Sequence, residues 1–201
     1  MSFGLDINHT VMQQEIKKAC SKDIIIFAAA SNKGHNHPVP YPARRSNEVL
    51  CIYATDGIGN PYDGNPTQLD SSAYHFATLG VGVKSSWPQS KDQPSDRSEE
   101  RRKTGTSFAT PIAAGIAAYV LEFARMNGID EKPYQMLRTR DGMEAVFAAH
   151  LVVKNDGLDY IHPWKLFADH RADEDILFLI QDTLGAWIGK AGQHTTAELC
   201  D

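Results

Sequence analysis

The stretch Gly105-Thr106-Ser107-Phe108-Ala109-Thr110-Pro111-Ile112-Ala113-Ala114-Gly115 decides how this 201-residue sequence is read. A serine in the first turn of an apolar helix, preceded by glycine, has its hydroxyl beside backbone N–H groups that lack intrahelical partners and at the positive end of the helix dipole. Such a place favours a developing oxyanion. Small residues at Gly105, Ala109, Ala113, Ala114 and Gly115 let the helix approach a sheet closely, which fixes where the serine points. From Thr106 to about Met126 the chain is apolar and Ala-rich nearly all round, the pattern of a helix buried in a protein interior. A lone Gly-Thr-Ser is also an ordinary helix start with a hydroxyl cap, so the surrounding sequence must supply the context.

Upstream, Ile24 to Ala30 is an unbroken apolar run between Asp23 and Ser31-Asn32, which fits a strand buried on both faces of a parallel sheet. Before it, Asn8 or Thr10 can cap a helix carrying Val11, Met12, Ile16 and Ala19 at roughly helical spacing, ending near Ser21. The order strand, helix, strand predicts a right-handed crossover and an α/β layered fold. Val49 to Ala54 reads as a second strand, followed by a Gly-, Pro-, Asn- and Asp-rich loop to Ser72, and Ala73 to Leu79 as a third, closed by Gly80 and Gly82. Residues 89–103 carry five positive and four negative side chains, the composition of a solvated loop rather than a nucleic-acid patch. After Gly128 the texture changes to helical stretches, around Pro133 to Val153 and Asp173 to Ile188, flanking a turn-like Tyr160-Ile161-His162-Pro163-Trp164 segment.

Composition sets limits on function. Forty-two per cent apolar residues and 9% aromatics suit a globular core, and the net charge of −5 gives no bulk attraction to nucleic acid or to anionic membranes. Ile112 to Leu121, the longest strongly apolar run, is too short to span a bilayer. Cys20, Cys51 and Cys200 are odd in number and widely spaced, so packing thiols are expected rather than a disulfide framework or a zinc ribbon.

The full string around Ser107 resembles the nucleophile motif of the subtilisin-like serine peptidases, G-T-S-x-A-S/T-P-x-x-A-G, at every fixed position. Ala28-Ala29-Ala30-Ser31-Asn32-Lys33-Gly34 is similar to the family's A-A-A-G-N-x-G segment, Met1-Ser2-Phe3-Gly4 to its M-S-x-G cleft strand, and Tyr41-Pro42 to a Y-P dipeptide at its specificity pocket. The resemblance covers about residues 1–126. It implies a three-layer α/β fold, with a mostly parallel sheet and helices on both faces, followed by a helical extension over 127–201. It also implies a serine endopeptidase mechanism in which Ser107 attacks the scissile carbonyl and the Asn32 amide with the Ser107 N–H holds the oxyanion. Ser2, Phe3, Gly4, Ala29, Ala30, Ser31, Tyr41 and Thr106 would then contact a polypeptide substrate, with no cofactor and no metal. Two departures stand out. Ser31 replaces the family's usual glycine, and His75 stands where an acidic residue of a cation site is common.

In this family the triad runs Asp, His, Ser along the chain, and neither a D-S/T-G nor an H-G-T-H motif occurs here. Asp56-Gly57 follows the asparagine segment and reads as a turn. Of the eight histidines, His35 and His37 read as loop residues and His75 as a strand residue; His9, His150, His162, His170 and His194 belong to the opening helix or the tail. The expectation is a sequence that starts inside a peptidase domain, with the missing N-terminal half of that domain as a partner. An α/β-hydrolase would need G-x-S-x-G, which Ala109 breaks, and a later acid and histidine drawn from Asp141 or Asp156 and His150 or His162. A degenerate peptidase domain acting only as a binding or signalling module is the other alternative.

Overall fold

The computed structural model describes residues 1–69, 72, 74–87 and 99–197. Its centre is a five-stranded sheet in the order β1-β2-β3-β7-β6. Strands β1 (Phe27–Ala29), β2 (Leu50–Thr55), β3 (Phe76–Leu79) and β7 (Leu158–Ile161) run parallel, and β6 (Val152–Asn155) pairs antiparallel with β7 at the edge. Every residue of β2 is buried, because helices cover both faces. The period of two sorts its side chains: Leu50, Ile52 and Ala54 enter one core, Cys51 and Tyr53 the other.

Helix α1 (Thr10–Cys20) lies on the Cys51–Tyr53 face, burying Ile16 with Met12 and Ala19 beside it, while Val11 points to solvent. Its cap is His9, whose Nδ1 accepts from the Met12 N–H at 3.5 Å, rather than Asn8 or Thr10. On the opposite face α2 (Thr106–Met126) packs through Ala109, Ala113, Ala117, Val120 and Ala124, alanines that bring its axis close to β1, β2 and β3. Besides that stripe only Thr106 and Thr110 of the helix are buried. Pro111, Gly115, Ala118, Tyr119 and Glu122 face outward, so the expected all-round burial is not what the fold delivers. The helix is long and apolar enough by composition to cross a bilayer, but its buried stripe is spent on the sheet.

The segment after Gly128 is not purely helical. Helices α3 (Glu131–Leu137) and α4 (Arg140–Val146), a π-helical turn (Phe147–Leu151) and α5 (Asp173–Ala197) alternate with the β6–β7 hairpin, which extends the same sheet. Ile176, Ile180 and Leu184 of α5 recur at helical spacing and join the α2 core, as do Leu137, Met143 and Phe147. The hairpin turns on Asp156 (φ +46°) and Gly157 (φ +77°), an Asp-Gly pair whose positive φ values match the twist of the strands. Asp159 of β7 is buried, and its carboxylate accepts from the His75 N–H at 2.8 Å, which prolongs the pairing at the start of β3.

Part of the charged insertion is a strand. Glu99–Lys103 (β5) pairs antiparallel with Val83–Trp87 (β4); the rest of it lies outside the described residues, together with Ala73, Cys200 and the side chain of His194. Asp56-Gly57 is the expected turn, with Asp56 Oδ1 accepting from the Ile58 and Asn60 N–H groups. Burial pushes the Cys51 thiol up to about 12 and raises that of Cys20, so both remain protonated packing groups.

Gly80, at the end of β3, is where sheet and α2 meet. Its N–H donates to Thr55 O and its carbonyl accepts from the Gly105 N–H, both at 2.8 Å. A Cβ here would lie 2.6 Å from Ala54 Cβ and 3.0 Å from the Gly105 carbonyl. Gly80→Ala is therefore expected to destabilise the fold by about 2–3 kcal/mol, seen as a melting temperature lower by about 5–10 °C in a thermal scan.

Candidate active site

Gly105 precedes α2 with φ +147° and no side chain to cap the helix, so the first N–H groups look elsewhere for partners. The Thr106 N–H donates to Asn32 Oδ1 at 2.8 Å. A Cβ on Gly105 would touch the Asn32 amide at 3.0 Å, so glycine is what lets that amide lie against the helix start. With Oδ1 engaged, the Asn32 Nδ2 donors have no hydrogen-bond acceptor among the described residues. Among the described residues the Ser107 N–H has no hydrogen-bond acceptor either. Two donors with no acceptor among the described residues thus belong to Asn32 and Ser107, which line one cleft at the positive end of a 21-residue helix with no acid in its first turn.

Pro111 contributes one residue further on. Lacking an N–H, it cannot bond the carbonyl four residues before it, which is that of Ser107. That carbonyl accepts instead from Ser2 Oγ at 3.1 Å, while Ser107 Oγ donates to Ser2 O at 3.3 Å. The two serines therefore tie the start of α2 to residues 1–4. Met1 in turn is bonded to β1, its carbonyl accepting from the Ala29 N–H at 3.0 Å, and Leu5 forms a two-bond bridge with Tyr41. Between these anchors the backbone groups of Phe3 and Gly4 bond no described residue. Gly4 passes so close to Pro40 that a Cβ would meet its ring at 2.4 Å.

A cleft of about 260 Å³ opens here, lined by Phe3, Gly4, Asp6, Ala29, Ser31, Asn32, Lys33, Pro40, Thr106 and Ser107. It brings together most of the residues that the sequence pattern singles out. Ser2 stands beside it through Ser107. Ala30 and Tyr41 do not reach it: both are fully buried, Ala30 donating to Ile52 O and Tyr41 supporting Leu5 from behind. The sequence pattern misses Asp6, Lys33 and Pro40, although Lys33 follows Asn32 directly. A larger hollow of about 540 Å³ under the 61–68 loop includes neither Ser107 nor Asn32.

No histidine or carboxylate bonds Ser107 among the described residues. His35 and His37 are exposed loop residues, and His75 Nε2 is 2.8 Å from Leu69 O. His150 is held by α5, its Nε2 lying 2.7 Å from Thr183 Oγ1 and 3.1 Å from Leu179 O, and burial lowers its pKa. His162 meets Tyr160 edge-on and Trp164 at a tilt. The late-histidine arrangement of an α/β-hydrolase is thus not assembled, and among the described residues no group of three or more His, Cys, Asp or Glu side chains could hold a metal.

Residues 1–147 match the model of the subtilase family, peptidase S8. Subtilisin-like protease het-Q2 of Podospora anserina is 24% identical over 112 residues, 56% of this chain and 29% of that protein. Alkaline elastase YaB of Bacillus sp. (strain YaB) is 32% identical over 122 residues, 60% of this chain and 28% of its own length. The chain therefore spans less than a third of the length of these curated relatives. Among solved structures, prenylagaramide maturation protease PagA superposes with a TM-score of 0.63 at 20% identity, over 90% of this chain and 60% of its own. Patellamide maturation protease PatA gives 0.62 at 19%, over 90% and 62%. These two likenesses are of fold.

Ser31 has φ +120°, a conformation that glycine adopts freely and an L side chain rarely does. Its N–H donates to Thr106 Oγ1 at 3.3 Å, and its carbonyl lies at the same distance from that hydroxyl, so the strained turn is held by α2. Ser31→Gly is expected to relieve the strain and raise stability by about 1 kcal/mol, whereas Ser31→Ala, which keeps a Cβ, should not; chemical denaturation of the three proteins checks this.

Proposed function

The chain belongs to the subtilase family of serine peptidases, and we propose that it supplies the nucleophile and oxyanion-binding part of a peptide-bond hydrolase. The observation that carries this reading is that Ser107 and Asn32 line one cleft, with the Ser107 N–H and Asn32 Nδ2 unengaged among the described residues. A scissile carbonyl seated between them would be attacked by Ser107 Oγ, and the negative charge on its oxygen would be held by both donors. Acyl transfer from Ser107 to water completes the cycle. The unpaired backbone at Phe3 and Gly4 offers an edge to which an extended polypeptide adds as a strand. No cofactor takes part in this scheme.

Attack requires a base to take the hydroxyl proton, and here that proton goes to a peptide carbonyl, Ser2 O, which is far too weakly basic. In the proposed scheme the base comes from polypeptide outside these 201 residues, in keeping with the share of its relatives' length that the chain spans. The outward face of α2 supports this: from Ser107 it continues through Pro111, Gly115 and Ala118, and a Cβ on Gly115 would meet nothing within 4 Å. The same lack of a base among the described residues favours a second reading, a cleft that binds peptides without turning them over.

Fluorophosphonate labelling of the chain alone tests the assignment. Slow modification confined to Ser107 and abolished in Ser107→Ala is expected. The oxyanion hole and binding alone still leave roughly 10³–10⁴ over water when a triad member is absent. Rapid, stoichiometric labelling would instead reveal a base within the chain. Asn32→Leu should slow the residual acyl transfer by roughly 10²–10³, the cost known for the equivalent donor in subtilisin, a member of this family. In-frame D-S/T-G and H-G-T-H motifs ahead of the Met1 codon favour the hydrolase over the binding module, and a gene without them favours the module.

A further inference from the structure

A hollow of about 470 Å³ opens between the outward face of α2 and the short helical turn Pro163–Lys165 that follows β7, lined by Tyr119, Trp164, Phe167, Asp169 and His170 among others. None of these residues lines the Ser107 cleft. Tyr119 meets Phe167 edge to face with 4.8 Å between ring centres, and Phe167 also packs on Phe123 at 5.2 Å. Trp164 makes its ring contact with His162 and with neither Tyr119 nor Phe167, so the hollow separates two aromatic surfaces. Tyr119 is 56% exposed and Trp164 68%. Singly scattered apolar side chains are ordinary on a surface, whereas large rings gathered in one concave place mark a binding site.

The charge of the hollow selects its occupant. Asp169 is the one acid in the lining, no Lys or Arg joins it, and its carboxylate forms no hydrogen bond or ion pair among the described residues. The basic residues nearest in sequence are turned to backbone carbonyls: Lys165 Nζ donates to Val152 O at 2.7 Å, and Arg171 Nη1 to Leu166 O and Lys165 O at 3.0 and 3.2 Å. We propose that this hollow binds an arginine side chain of a polypeptide, its guanidinium lying on the aromatic rings and donating to Asp169. A guanidinium is planar and weakly hydrated, and its fork of donors matches a carboxylate, so it can stack on a ring and bond Asp169 together. A lysine ammonium is a strongly hydrated point charge and suits this pairing less. A neutral apolar side chain would cover the Asp169 carboxylate without giving it a partner, at a cost in desolvation. The Trp164 indole N–H and the Tyr119 hydroxyl also bond no described residue, and they are donors for the carbonyls of the chain that carries the arginine, which favours a polypeptide over a small cation.

Peptide titration tests this. Acetylated pentapeptide amides that are identical except for a central arginine, its neutral isostere citrulline, or lysine are added to the intact, isotope-labelled chain, and the amide and indole N–H shifts in NMR spectra give the dissociation constants. The arginine peptide should bind about three- to tenfold more tightly than the citrulline peptide, with lysine between them, the scale of an exposed cation–π contact combined with one exposed ion pair. Methylguanidinium alone should bind at least about threefold more weakly than the arginine peptide, and equal binding overturns the choice of a polypeptide. The arginine-over-citrulline preference should all but vanish in Trp164→Leu and shrink about twofold in Asp169→Asn. Both side chains are exposed, and circular dichroism verifies that each variant keeps the fold. Equal binding of the arginine and citrulline peptides, tighter binding of lysine than of arginine, a preference unchanged in either variant, or no binding at millimolar peptide each overturns the proposal. None of these outcomes bears on Ser107, whose labelling is read separately.

Discussion

The hydrogen bond from the Thr106 N–H to Asn32 Oδ1 is the contact on which the rest of the site depends. A helix start has donors to spare, and an amide side chain satisfies one of them only if the backbone comes close enough. Gly105 allows that approach, and Gly80 clamps Gly105 to the end of the sheet. One bond thus orients the Asn32 amide, positions the first turn of α2, and leaves the Ser107 N–H and the Asn32 Nδ2 hydrogens without acceptors among the described residues. Preorganised donors of this sort cost nothing to reorient as charge develops, which is why they suit acyl transfer.

Around that bond each neighbouring segment is tied in by a different device. Thr106 Oγ1 holds the strained Ser31 turn. Thr78 Oγ1 donates to Ala109 O at 2.8 Å and pins α2 over β3. Pro111 releases a carbonyl that Ser2 takes up, so a residue that normally weakens a helix links the helix to the cleft wall. Asn65, buried beside β2, forms a two-bond amide pair with Ala54 N and O at 2.9 and 2.8 Å, which satisfies the strand where β1 has already ended. The site is tied to the sheet on one side and open on the outward side of α2, where the base of the proposed mechanism would approach Ser107.

Much of this was legible in the residues. Helix α2 runs from Thr106 to Met126, as its apolar pattern predicts, and β2 and β3 fall within a few residues of the runs that suggest them. Ser107, Asn32, Ser31, Thr106 and the Phe3–Gly4 segment share one cleft. Other features could not be read. Tyr41 looked like a pocket residue because of its dipeptide, yet it is fully buried behind Leu5. The tail looked helical because its helices have strong periodicity, while the β6–β7 strands are four residues each and betray themselves only by the Asp156-Gly157 turn.

What the sequence determined by itself is the set of groups available: a serine hydroxyl at a helix start, an amide at a strand end, and the glycines and proline that let them meet. These are short-range signals, since capping, turn geometry and helical period involve residues within a few positions of one another. Tertiary structure alone decided which face of α2 stays uncovered, that Lys33 pairs with Asp6, that Ser31 carries a positive φ, and that β7 extends the sheet beside β3. Each of these depends on contacts between segments far apart in the chain. No local pattern encodes such contacts, because the free energy that selects them comes from burying the whole core at once.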